Sequence, residues 1–328
     1  MNMKALLCSR FGPLEDLRVE DVPVPSCAQS QVVVRVQAAS LNFPDVLIAQ
    51  GLYQVRPMLP FSPGAELAGV VVRTGSKAAG WKEGDRVMAS TGYGAFAQQC
   101  AVDAQRLVPL RDGLGFDQGA ALVVAYGTSL HALKDCAQLR DGETVLVLGA
   151  AGGVGVAAIQ IARKMGARVI AAVSTQEKAE LCRRLGADEA VDYTVDGWRE
   201  RVKALCGGEG VDIVYDPVGG AYAVQALRCL RWRGRYLTVG FAAGAIAQVP
   251  LNLALLKERR ILGVYWGDAI KRDPATHQAN MRLLQDWCVE GAIEPVISRR
   301  ARLAEVPQAM RCMAGRQVVG KIIIRPQE

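Results

Sequence analysis

Two periodicities divide the chain. In the first third, short apolar and β-branched runs at 32–37, 69–73 and 86–89 are separated by polar turns such as Lys82-Glu83-Gly84-Asp85. Runs of this length between turn residues predict strands. Pro23, Pro25, Pro44, Pro57, Pro60 and Pro63 punctuate the same region, each fixing φ and removing a backbone donor. That favours a compact, irregular β barrel over long helices there. Near Gly119 the pattern becomes an alanine-rich helix over 119–133, and from Thr144 apolar runs alternate with helical spacing. Runs at 145–148, 168–173, 190–191, 212–215, 235–239 and 260–264 predict successive parallel strands, with helices such as 154–165 and 176–185 between them. Parallel neighbours need crossover connections, so this half predicts an α/β, doubly wound parallel sheet. A helix over 274–290 follows, then short strands at 294–296 and 318–324 that predict a return of the C-terminus to the first domain. The expected division is a β domain over 1–122, a nucleotide-binding domain over 123–264 and a returning segment over 265–328, with ligands expected in a cleft between the domains.

Composition supports two cored domains. Of 328 residues, 51% are hydrophobic and 22% charged, which excludes a disordered or fibrous chain. Residues 1–19 mix Lys4, Arg10, Glu15, Asp16 and Arg18 with short apolar runs, unlike the single apolar block of a signal peptide, so a cytoplasmic protein is expected. No run of about eighteen uncharged apolar residues predicts a membrane span, because glycines interrupt the best candidate, 144–162. The nine cysteines are scattered without a CxxC pair, which predicts reduced thiols, and only His131 and His277 could join them in a metal site. A net charge of +7 is spread along the chain without a basic block. That distribution argues against a nucleic-acid partner and fits a phosphate-rich small molecule.

The sharpest chemical signal is Gly149-Ala150-Ala151-Gly152-Gly153-Val154-Gly155, directly after an apolar strand and opening a helix. This is the setting of a dinucleotide-binding loop. At Gly152 and Gly153 the missing side chains predict a tight turn and close approach of backbone N–H groups to a pyrophosphate, and Gly155 predicts close helix packing. The second strand ends Ala172-Val173-Ser174, without the carboxylate that would accept from the ribose hydroxyls of NADH. Ser174, with Lys178 one helical turn on, instead suits a 2′-phosphate, so NADPH is the expected cofactor.

Leu41-Asn42-Phe43-Pro44-Asp45, Gly51-Leu52-Tyr53, Pro60-Phe61-Ser62-Pro63-Gly64-Ala65-Glu66, Gly84-Asp85-Arg86-Val87, the glycine loop and Asp216-Pro217-Val218-Gly219-Gly220 follow one another in order. With these motifs the chain resembles, over nearly its whole length, the zinc-independent quinone oxidoreductase branch of the medium-chain dehydrogenase/reductase superfamily. The resemblance implies a GroES-like β-barrel catalytic domain and a Rossmann NADPH-binding domain. It also implies no zinc: zinc alcohol dehydrogenases carry cysteine where this chain has Asn42 and histidine where it has Ala65, and their cysteine-rich lobe has no counterpart after Ala89. Hydride transfer to a quinone or an α,β-unsaturated carbonyl compound is then the implied activity, since conjugation delocalises the charge that develops on oxygen.

By the same resemblance Asn42 is expected near the nicotinamide ribose and the substrate oxygen, and Tyr53 in the substrate pocket with its hydroxyl as a possible proton donor. Asn42 equally suits a turn before Pro44, and Tyr53 an aromatic wall. Glu66 and Asp45 are expected to brace the scaffold. Thr128, Tyr193, Val218, Gly240 and Phe241 are expected around the cofactor beside Gly152, Gly153, Val154, Ser174 and Lys178, and the edge strand at 260–264 is expected to pair in a homodimer. Two other readings stay open: an enoyl-CoA reductase of the same architecture, and an NADPH-binding protein without turnover.

Overall fold

Val32, Val33, Val34 and Val36 are fully buried along one strand, and the first sheet is built around it. The computed structural model describes residues 1–328. In chain order the first strands are β1 (Asn2–Leu7), β2 (Arg18–Pro23), β3 (Gln31–Leu41), β4 (Glu66–Thr74), β5 (Arg86–Ser90), β6 (Gln99–Asp103) and β7 (Leu107–Pro109). The second half adds β8 (Thr144–Leu148), β9 (Arg168–Val173), β10 (Glu189–Asp192), β11 (Val211–Asp216), β12 (Leu230–Thr238), β13 (Arg260–Gly263), β14 (Ile297–Ala301) and β15 (Lys321–Ile324).

These strands belong to two units, one of Met1–Val124, Ile270–Val289 and Pro295–Glu328, the other of Ala125–Ala269 and Glu290–Glu294. In the first, a seven-stranded sheet runs β14-β15-β3-β4-β5-β7, with β6 also paired to β3, and β1 and β2 form a separate antiparallel pair. One edge of β3 serves two partners: residues 31–35 pair with β6, while residues 39–41 pair with β15. Register shifts after Val33 and Val36 bend β3 and let it do so. Leu41, Leu67, Phe96, Met310, Ile322 and Ile324 fill the core that this bend encloses. The C-terminal strand β15 is thereby knitted into the sheet begun by the N-terminal residues.

The second unit holds a six-stranded sheet in the order β10-β9-β8-β11-β12-β13. Every pairing in it is parallel. The chain runs outward from β8 through β9 to β10 and then returns to pair β11 with β8, so the order reverses between β8 and β11. At such a reversal the loops leaving the two strands diverge, and a crevice opens at their carboxyl ends. The loops 149–153 and 217–220 leave the strands at that point. No helix is long and apolar enough to cross a membrane.

Three local features depart from the sequence pattern. The helical run 116–136 is interrupted by π turns at Leu122–Tyr126 and His131–Cys136. Residues 294–296, expected as a strand, are irregular, and β14 begins at Ile297. Side chains take the hydrogen bonds a ladder would need: Glu294 N–H donates to Gln160 Oε1 at 3.0 Å, and its carbonyl accepts from Gln160 Nε2 at 2.9 Å and Tyr126 Oη at 3.1 Å. Finally, residues 265–269 and 290–294 pack with the nucleotide-fold unit rather than with the returning segment.

Candidate functional site

In the first unit the chemistry gathers where β3 gives way to the short helix Phe43–Ala49. Asn42 takes the N-cap position with extended backbone (φ −125, ψ 157), and its N–H donates to Asp45 Oδ2 at 2.8 Å. Asn42 Nδ2 donates to Ser40 O at 3.1 Å and to Glu66 Oε1 at 2.7 Å, while Oδ1 accepts from Lys321 Nζ at 2.6 Å. The amide has one arrangement only, because a carboxylate must face its NH₂ and an ammonium its oxygen. Both amide hydrogens are therefore committed, and what Asn42 retains for a ligand is the second lone pair of Oδ1.

Glu66 at the start of β4 is fully buried. Its Oε1 accepts from Asn42 and, at 3.0 Å, from Lys321 Nζ; its Oε2 accepts from Val124 N–H at 2.6 Å, within the first π turn. Lys321, the first residue of β15, also donates to Leu41 O at 3.2 Å. Its ammonium thus has three donors and three acceptors, which is the condition for holding a buried charge without loss. Asp45 is less well served. Its Oδ1 has no hydrogen-bond partner, and burial pushes its carboxyl up to about 7, with the Asn42 N–H opposing and the Glu66 charge reinforcing the shift. Tyr53 lies just beyond this helix and packs, partly buried, against the core of the same unit. The segment that carries it exposes Leu52, Val55, Met58 and Leu59.

In the second unit the glycine loop follows β8. The left-handed turn is made by Gly149 (φ +55), not by Gly152, whose φ of −76 any residue could adopt. Gly152 caps the helix Gly153–Lys164 instead, donating to Gly149 O at 2.9 Å. A Cβ on Gly155 would lie 2.4 Å from Gly149 O and 2.7 Å from Ala150, so its role is to let the first helical turn close over the loop. Ser129 Oγ braces this arrangement through Val154 O at 3.0 Å and Tyr215 Oη at 2.9 Å, which fixes the neighbouring, half-buried Thr128 near the helix start.

The loop after β11 lies beside the glycine loop, since a Cβ on Gly149 would come within 2.9 Å of Val218 Cγ2. Asp216 organises it: Oδ1 accepts from Val218 N–H at 2.7 Å and Gly219 N–H at 2.8 Å, and Oδ2 accepts from the Tyr236 hydroxyl. Burial raises the Asp216 carboxyl, and these bonds oppose the rise. Ala242 and Ala243 donate to Pro217 O and Val218 O, so the segment with Gly240 and Phe241 is zipped onto the same loop. At the end of β9, Lys178 Nζ approaches Ser174 Oγ at 3.4 Å, held by a helix that Thr175 caps. Tyr193 N–H donates to Val173 O at 3.1 Å, and its ring contacts Tyr222 at 4.6 Å between centroids.

The structure thus gathers Thr128, Gly152, Gly153, Val154, Ser174, Lys178, Tyr193, Val218, Gly240 and Phe241 at one end of the parallel sheet, and Asn42 and Tyr53 on the first unit. Sequence reasoning missed Lys321, Gly149 and Asp216 as organising residues. A signal existed for two of them: Lys321 is a lone charge before Ile322-Ile323-Ile324, and Gly149 is the residue at which an apolar strand stops.

Comparison with known proteins agrees with this architecture. Residues 28–112 match the family described as alcohol dehydrogenase GroES-like domain, and residues 153–286 the family described as zinc-binding dehydrogenase. The chain is 38% identical to quinone oxidoreductase-like protein 2 of Bos taurus over 98% of this chain and 92% of the relative, and 32% identical to human quinone oxidoreductase over 98% and 97%. Among solved structures, a Pseudomonas syringae quinone oxidoreductase superposes with a TM-score of 0.93 at 32% identity, covering 99% of this chain and 100% of that one. A mycobacterial protein solved in complex with NADPH also reaches 0.93, at 30% identity and the same coverage.

One of these descriptions names zinc, and the residues here do not fit it. No group of three or more His, Cys, Asp or Glu side chains is arranged to hold a metal ion. Glu66 already has an ammonium on it, and a divalent ion placed there would meet the Lys321 charge at hydrogen-bond range.

Proposed function

Because the chain belongs to the quinone oxidoreductase branch of the medium-chain dehydrogenase/reductase superfamily, we propose that it is an NADPH-dependent, zinc-free oxidoreductase that reduces quinones or α,β-unsaturated carbonyl compounds. The observation that carries this reading is the internal ion pair of Lys321 and Glu66 beneath Asn42. With the carboxylate neutralised by a lysine, the first unit offers hydrogen-bond partners and no Lewis acid, which suits an acceptor whose own conjugation spreads the incoming charge.

When bound, the reduced nicotinamide supplies a hydride to the acceptor carbon. The chain's residues bind and orient. Gly152, without a side chain, would let a pyrophosphate approach the backbone N–H groups of Gly153 and Val154 at the helix start, and the helix dipole would add to their attraction. Ser174 and Lys178, within 3.4 Å of each other, present a hydroxyl and an ammonium to a 2′-phosphate. Thr128, Tyr193, Val218, Gly240 and Phe241 border the cofactor at the strand ends. Asn42 Oδ1, fixed by Lys321, accepts from a ribose hydroxyl, and the Tyr53 hydroxyl donates towards the acceptor oxygen. The exposed apolar side chains around Tyr53 favour a flat, apolar acceptor over a polar alcohol.

The test is steady-state oxidation of NADPH, followed by its absorbance, with benzoquinones, naphthoquinones, short enones and enoyl-CoA thioesters. Turnover is expected with the quinones or the short enones. Lys178→Glu is expected to raise KM for NADPH at least about tenfold while leaving that for NADH nearly unchanged, as loss of one charge-assisted phosphate contact implies. Tight NADPH binding with no oxidation by any acceptor would replace the enzyme by a binding protein, and turnover confined to enoyl-CoA would replace the substrate class.

A further inference from the structure

A second cluster of reactive side chains lies in the nucleotide-fold unit, on the π turn His131–Cys136 that ends the long helical run. Ala137 N–H donates to Ala132 O, five residues back, at 2.9 Å. In a turn closed this way, residues four and five positions on straddle the first one, whereas an α turn swings the fifth aside. His131 is straddled accordingly. Its Nδ1 is 2.9 Å from Asp135 Oδ2, and its Nε2 is 3.4 Å from Cys136 Sγ. A single imidazole therefore joins a carboxylate to a thiol, in the order orienting acid, base, nucleophile. Arg235 anchors the end of the turn by donating to Ala137 O at 2.7 Å and Gln138 O at 3.3 Å.

The setting differs from that of other thiols in the chain. Cys100, Cys182 and Cys229 are buried, and burial pushes each thiol up to about 12. Cys27 is half-buried like Cys136, but its Sγ meets only the carbonyl oxygens of Ala28, Gln31 and Arg73. Hydrogen bonds to Asp135 and then to Cys136 push His131 up to about 9.

We propose that His131, Asp135 and Cys136 form a thiol nucleophile that captures soft electrophiles of the α,β-unsaturated carbonyl class as thioethers. In the step, Sγ bonds to the β-carbon and the π pair of the alkene moves towards the carbonyl as an enolate. The proton that left the thiol for His131 Nε2 then passes to the α-carbon. Nothing leaves, and neither oxidant nor cofactor is consumed. Addition needs a nucleophile and a proton donor, and the three side chains contain those two functions and a carboxylate to orient the ring. The site is independent of hydride transfer, so its test uses protein without cofactor and can fail while the proposed reductase activity stands.

The experiment treats the full chain with substoichiometric N-ethylmaleimide, a cyclic α,β-unsaturated imide, quenches with excess thiol and quantifies each cysteine adduct by peptide mass spectrometry. Cys136 is expected to react at least about tenfold faster than Cys27, as a base within hydrogen-bond reach of one thiol and not of the other implies. His131→Gln is expected to bring Cys136 down to the rate of Cys27, and Asp135→Asn to lower it partway. In both variants Cys27 keeps its rate, and Cys182 and Cys229 stay protected, which reports an intact fold. Equal rates at Cys136 and Cys27 in the unmodified chain overturn the proposal, as does an unchanged Cys136 rate in a folded His131→Gln variant. Should that variant label at Cys182 and so prove unfolded, a Cys136 rate unchanged in Asp135→Asn overturns it instead.

Discussion

Lys321 is the residue on which the polar core of the first unit turns, because it is the buried cation among Leu41 O, Asn42 Oδ1 and Glu66 Oε1. Lys321→Met leaves Glu66 charged and buried, and is expected to destabilise the chain by about 3–5 kcal/mol in urea unfolding, the usual cost of breaking such a pair. Adding Glu66→Gln removes the orphaned charge and is expected to recover most of that loss; no recovery would show that the pair does not act as a unit. Asp45 and His277, both buried in this unit, form a second kind of pair. Burial holds Asp45 at about 7 in the fold, against an ordinary value of 3.8, so between these pH values the unfolded chain loses its proton first and stability falls as pH rises. Burial lowers His277 to about 4 from 6.5, so over that range the unfolded chain gains its proton first and stability falls as pH drops. The two slopes oppose each other over nearly the same window. Relative to the parent, Asp45→Asn is expected to lose stability as pH is lowered from 6.5 to 4.5 and His277→Leu to gain it, each by about 1–3 kcal/mol in urea unfolding at fixed pH. Variant profiles parallel to the parent's would show that neither group is shifted.

At the scale of elements, the glycine loop separates two roles that its sequence runs together. Gly155→Ala drives a Cβ into backbone atoms at 2.4 Å and 2.7 Å, and backbone cannot move aside as a flexible side chain can. It is expected to cost about 1–3 kcal/mol of stability and to weaken NADPH binding with it. Gly152→Ala meets only Gly149 O, at 3.3 Å, on an ordinary extended backbone. It is expected to leave the melting temperature within about 3 °C and still to weaken NADPH binding, because the methyl obstructs the approach of phosphate. Calorimetric titration beside thermal melts checks both; equal melting losses in the two variants would merge the roles. The same loop shows what the sequence could and could not disclose. The strands of the parallel sheet were legible from short apolar runs closed by turns, and the glycine loop from its place between a strand and a helix. The π turns were not, since they follow from hydrogen-bond register within a helix and leave no trace in periodicity. Nor was the strand expected at 294–296 correct, because Gln160 and Tyr126 claim its backbone from 134 and 168 residues away. Lys321 meets Glu66 across 255 residues, a pairing that no local pattern encodes.

At the scale of the molecule, the two edges of the parallel sheet are not alike. On one side β10 is short and bordered by Asp188, Glu189 and Asp192, charges that discourage another strand from pairing. On the other side β13 pairs only with β12, and its residues are largely exposed. In the segment that leads into it Leu251, Leu255 and Leu256 are 80%, 77% and 65% exposed and Ile246 is uncovered, as is Ile261 within the strand itself. An open strand edge flanked by apolar side chains is stable in water when something covers it, and a second copy can do so by a two-fold axis that sets β13 antiparallel to itself. That geometry would join two six-stranded sheets through their backbones and bury the leucines at the same time. Light scattering at micromolar concentration is therefore expected to give a mass near twice the 35.2 kDa of the chain. Leu255→Glu combined with Leu256→Glu places charges in the buried strip and is expected to shift the protein to monomer at the same concentration. Amide exchange separates edge pairing from a looser apolar contact: pairing protects the outward-facing N–H groups of β13 in the dimer and releases them in the double variant. A monomeric parent chain, or a dimer in which those amides exchange freely, would mean that this edge is covered in some other way.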